Sequence, residues 1–146
     1  MKSKKPSAAN FGLKRPDSPT LFLDRSLGKI VVAEALRKAG ANVEVHDDHF
    51  SQDVADEKWL EAAGKNGWVV LTKDRRIRFR ATERQALINA GVKAFVLTAG
   101  DIDGPSMAAV FVKALPVILR FAGKHPPPFI ATVTRSSSVK LLSLNP

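Results

Sequence analysis

Three aspartates, Asp24, Asp56 and Asp74, are the residues of this chain whose placement could do chemistry together. Asp24 closes the apolar run TLFLD, and Asp74 follows the run WVVLT by one residue, within VVLTKDRRIRFR. Both acids stand where a buried strand would emerge. Asp56 is reached separately, because Asp56, Trp59, Leu60 and Ala63 share the i, i+3, i+4, i+7 spacing of one helix face. The tryptophan and leucine make that face the sheet-facing one, so Asp56 leans inward while Glu57, Lys58 and Glu61 reach water. An acid in a first helical turn also complements the helix dipole, worth ~0.3–1 kcal/mol, but a solvent-facing position would serve that purpose as well.

Three carboxylates in one crevice repel one another and raise each other's pKa unless a cation sits among them. The chain has no cysteine, and oxygen-only ligands suit hard ions such as Mg²⁺ or Mn²⁺. An ion of that kind, held by aspartates with open positions, activates water and stabilises the leaving oxygen of a phosphodiester. Asp24, Asp56 and Asp74 are thus expected both as metal ligands and as catalytic residues. Arg25, Lys73, Arg75, Arg76 and Arg78 become candidate nucleic-acid contacts at the flanking phosphates, although each also reads as a solvated surface charge. The Thr72 hydroxyl could orient a carboxylate, or be an ordinary β-branched strand residue. Asp47, Asp48 and His49, in VHDDHF, read as loop caps rather than ligands.

The elements that must position these acids alternate along the chain. Strands are expected at 20–24, 43–46, 68–72, 94–98 and 129–134, with 139–142 as a candidate partner of the last. Helices are expected at 27–39, 54–63, 82–90 and 106–122, with Leu27, Ile30, Val31 and Ala35 as the inward face of the first and Pro116 kinking the last. Arg76 and Arg78 alternate with Ile77 and Phe79 as in a half-exposed extended segment. All-apolar strands alternating with helices imply a mainly parallel sheet covered on both faces, a three-layer α/β/α sandwich. Ligand sites in such sheets lie beyond the C-terminal strand ends, where Asp24 and Asp74 fall.

A chain of 146 residues suits one domain. Residues 1–19 read as a flexible basic arm and 20–146 as the domain. The net charge of +9 is uneven: Lys2, Lys4, Lys5, Lys14 and Arg15 precede the first acid, Asp17, and a second cluster runs from Lys73 to Arg84. Such a field suits a polyanionic partner, nucleic acid first, or a solvated surface. No apolar run approaches the ~20 residues of a membrane span, and the basic start MKSKKPSAAN lacks a secretory apolar region. The expected location is cytoplasmic, without a membrane.

The pieces LFLDRSLG, VHDDHF, ADEKWLEAAGKNGWVVLTKDRRIR, AGVKAFVLT and PFIATVTR, spanning about residues 20–135, resemble PIN domains, specifically the compact PIN-like group related to VapC-type toxin nucleases. The resemblance implies an α/β/α sandwich and a metal-dependent endoribonuclease using Mg²⁺ or Mn²⁺. It carries over to Asp24, Asp56 and Asp74, and it implies RNA as substrate and a small antitoxin protein as partner. Many PIN nucleases carry a further acid soon after the third-strand aspartate. Here Arg75, Arg76 and Ile77 follow, and Glu83 is the nearest candidate.

Two other readings stand beside the nuclease. One is an RNA-binding PIN-like module weakened by the missing acid. The other is a phospho-acceptor receiver domain, which needs an acidic pair after the first strand, whereas Asp24 is followed by Arg25 and Ser26. The apolar stretch MAAVFVKALPVIL is read as a buried helix, with a homodimer or antitoxin interface as its alternative.

Overall fold

The structure is a computed structural model describing residues 18–142. The expected basic arm therefore lies outside the described residues, apart from Ser18 and Pro19. Among the described residues six strands form one sheet: β1 (Thr20–Leu23), β2 (Asn42–Val45), β3 (Val69–Thr72), β4 (Lys93–Leu97), β5 (Phe129–Val133) and β6 (Val139–Leu141). Their order is β2-β1-β3-β4-β5-β6. The first five are parallel, and β6 runs antiparallel to β5, as the expected 129–134 and 139–142 pairing requires.

Strand alternation divides the core into two layers. Leu21, Leu23, Val69, Leu71, Phe95 and Ala131 face α1 (Val31–Lys38) and α5 (Gly104–Lys124). Phe22, Val70, Ala94, Val96 and Ile130 face the other way, onto α2 (Asp56–Asn66), α3 (Arg75–Phe79) and α4 (Ala81–Ala90). Helices on both faces of a mainly parallel sheet make the expected three-layer sandwich.

Three local expectations change. The helix expected at 27–39 begins at Val31, because residues 25–27 form a 3-10 turn ended by Gly28 at φ 75°. Its inward face is consequently Val32, Ala33 and Leu36, leaving Ile30 and Val31 exposed. The segment after Asp74 is helical rather than extended: Ile77 is buried, and the Arg80 N–H closes back on the Arg76 carbonyl. Finally, α5 is by length and composition apolar enough to cross a membrane, contrary to the sequence expectation. In this fold its Phe111, Ala114 and Ile118 are fully buried in the core.

Gly64 lies in the last turn of α2, where α2 packs against α4. A side chain there would overlap the Ala90 carbonyl.

Candidate active site

Asp24 leaves the end of β1 and is only 5% exposed. Its main-chain N–H donates to the Leu71 carbonyl at 3.2 Å, tying it to neighbouring β3. One carboxylate oxygen accepts from the Ser26 N–H at 2.9 Å and from the Ser26 hydroxyl; the other accepts from the Thr72 hydroxyl at 2.5 Å. These two hydroxyls also join the strand ends: Ser26 Oγ accepts from the Lys73 N–H, and Thr72 Oγ1 from the Asp74 N–H, both at 3.0 Å. Burial pushes the Asp24 carboxyl above its usual range, against the lowering effect of the Ser26 and Thr72 bonds, with the Asp74 charge adding to the rise.

Asp74 caps α3, accepting from the Arg76 N–H at 3.0 Å. The Arg76 guanidinium then closes on the same carboxylate, with Nε at 3.0 and 3.1 Å and Nη2 at 2.6 Å. Burial works to raise Asp74, but the Arg76 bonds and charge outweigh it and hold the carboxyl below its usual value.

Asp56 opens α2 on the face of Trp59, Leu60 and Ala63, which are buried as the spacing required, while Glu57 is exposed. The Trp59 indole N–H donates to Asp56 at 3.0 Å. Arg25 lies 3.5 Å and Arg76 3.4 Å from its oxygens. Asp24, Asp56, Asp74, Arg25, Ser26, Trp59 and Arg76 line one crevice beyond the strand ends.

The three expected acids therefore share a crevice, but guanidinium groups stand among them. Among the described residues, no three His, Cys, Asp or Glu side chains converge closely enough to hold a metal ion as placed. Arg76 Nη2, within reach of both Asp56 and Asp74, supplies the positive charge that the carboxylates require. Arg25 pairs with Asp56 rather than with its neighbour Asp24. Arg75 and Arg78 turn towards Phe79 instead of the acids. Lys73 is half-buried, contributing its main-chain N–H to Ser26.

Glu83 lies 3.9 Å from Arg80 and borders an adjoining hollow shared with Asp56 and Asp74. Asp47 lines a separate hollow with Arg25 and Gln52, and His49 pairs with Glu44 at 2.6 Å, so neither joins the three aspartates. Sequence reasoning missed Ser26 as a donor and Trp59 as the partner of Asp56. An aspartate closing a strand with serine two residues on is a capping pattern, and that signal was available for Ser26.

The PIN like domain family model matches residues 19–99, more than half of the chain. This chain belongs to the PIN-like family. Its kinship lies with the VapC-type members: it is 35% identical over 130 residues to "Putative ribonuclease VapC45" of Mycobacterium tuberculosis (strain ATCC 25618 / H37Rv), covering 86% of this chain and 94% of that protein. No solved structure matches it significantly. In this PIN-like domain, the matched segment contains all three aspartates and the arginines around them.

Proposed function

We propose that this PIN-like protein is a Mg²⁺- or Mn²⁺-dependent endoribonuclease, the toxin of a toxin–antitoxin pair acting in the cytoplasm, with Asp24, Asp56 and Asp74 as metal ligands and catalytic residues. The observation that carries the reading is their meeting at one crevice from three elements. The name of the M. tuberculosis relative supports ribonuclease activity, and the resemblance to VapC-type toxins supports an antitoxin partner.

The donor set fits a hard divalent ion, since the crevice offers carboxylate and hydroxyl oxygens and no softer ligand. Bound between Asp24, Asp56 and Asp74, it would supply water activation and charge stabilisation at a phosphodiester. The chain's own groups prepare that place. Ser26 and Thr72 fix both oxygens of Asp24, Trp59 fixes one of Asp56, and Asp74 is held at the first turn of α3. Arg76 is the exposed cation nearest the acids, suited to receive a substrate phosphate when its carboxylates turn to a metal. Arg25 stands at the opposite side of Asp56 for a second phosphate.

A weakened RNA-binding module is the second reading, favoured by Arg76 standing on Asp74 where a further acid is absent. Incubating the protein with structured and unstructured RNA decides between them. Cleavage that stops with chelator and returns with Mn²⁺ supports the nuclease. Salt-sensitive binding without cleavage at any metal concentration supports the module.

A further inference from the structure

We infer that the outer face of α3 is a stacking platform for a base of single-stranded RNA, with Phe79 as the stacking surface and Arg75 and Arg78 as its phosphate contacts. The inference rests on the ribonuclease reading and specifies the form of RNA taken by that site. Phe79 is 62% exposed, an unusual place for a large apolar ring. Among the described residues it joins no hydrophobic cluster, and cations lie over it: the Arg78 guanidinium is 4.6 Å and that of Arg75 5.8 Å from the ring centroid.

The geometry is held from beneath. Ile77, on the opposite side of this short helix, is buried in the core. Arg84 donates to the Arg78 carbonyl at 2.6 Å, fastening the end of α3 to α4. Phe79 lies three residues after Arg76 and four after Arg75, so all three share one side of the helix. Arg76 reaches the carboxylates from that side. A chain laid along α3 would pass from the crevice to the ring within one helical turn.

Exposed aromatics beside arginines are how proteins hold unpaired bases, because every base has a face to stack and the cations follow the backbone. A duplex hides its base faces and cannot use the ring. The occupant is therefore single-stranded RNA, and charge complementarity selects it over an apolar protein surface.

The test is affinity of the full-length chain for a fluorescent single-stranded oligoribonucleotide, in chelator so that no cleavage occurs. Phe79→Ala is expected to weaken binding roughly 5- to 100-fold, and Phe79→Trp to retain it. The Phe79→Ala salt dependence keeps its slope, while Arg75→Gln and Arg78→Gln each lower it by about 0.7. Duplex RNA of the same length is expected to bind equally to wild type and Phe79→Ala. Unchanged single-strand affinity in Phe79→Ala, or equal loss for single strand and duplex, overturns the platform. If wild type cleaves RNA while Phe79→Ala binds as tightly as wild type, only the platform falls. If wild type neither binds nor cleaves RNA, the ribonuclease reading falls with it.

Discussion

The guanidinium of Arg76 grips both carboxylate oxygens of Asp74, and its Nη2 also reaches Asp56. A divalent ion entering the crevice must compete with that charge. Arg76→Gln is therefore expected to tighten Mn²⁺ binding several-fold while weakening RNA binding. Mn²⁺ quenching of tryptophan fluorescence reads the first effect, since Trp59 donates directly to Asp56. Loss of Mn²⁺ affinity in Arg76→Gln would mean that the arginine orders the acids rather than competing for them.

Thr72 connects the two strand ends, donating to Asp24 and accepting from the Asp74 N–H. Replacing it with valine keeps the shape but leaves buried groups without partners. Thr72→Val is expected to cost about 1–3 kcal/mol in urea unfolding and to lower cleavage. Unchanged stability would show that the hydroxyl is dispensable.

The sign for Asp24 follows from its burial. The unfolded carboxyl ionises near 3.8 and the folded one at a higher pH. The folded chain keeps its proton longer, so stability is lost as pH rises from the lower value through the higher. Metal-free wild type is expected to lose Tm relative to Asp24→Asn across that interval, and Mn²⁺ is expected to restore it. A pH-independent Tm difference would contradict the raised carboxyl.

Gly64 offers a check on packing away from the crevice. Helix propensity alone favours Gly64→Ala by up to ~1 kcal/mol, but the added carbon would overlap the Ala90 carbonyl of the neighbouring helix. Backbone must shift, and a net destabilisation of about 1–3 kcal/mol is expected from thermal unfolding. A stabilised variant would mean that α2 and α4 can part without cost.

The apolar runs made the parallel strands legible, and the Asp56–Trp59–Leu60–Ala63 spacing gave the correct face of α2. The first helix starts later than its apolar spacing suggests because Gly28 breaks the backbone, which shifts the buried face from Val31 to Val32, Ala33 and Leu36. RRIRF is too short for helical periodicity to outweigh its simple alternation, which hides α3 in the sequence. The Asp24–Thr72 bond joins residues 48 apart in sequence. Arg76 was named for phosphate contact, yet its grip on Asp74 depends on a fold around α3 that no spacing rule gives.

The central claim is that these three aspartates form one catalytic site. Its most direct test is single-turnover RNA cleavage in Mn²⁺ by wild type, Asp24→Asn and Asp74→Asn, with folding checked by thermal unfolding. The account predicts that each folded variant loses at least about 100-fold in rate, on the order of 2.7 kcal/mol of transition-state stabilisation. Full Mn²⁺-dependent cleavage by either variant would contradict it.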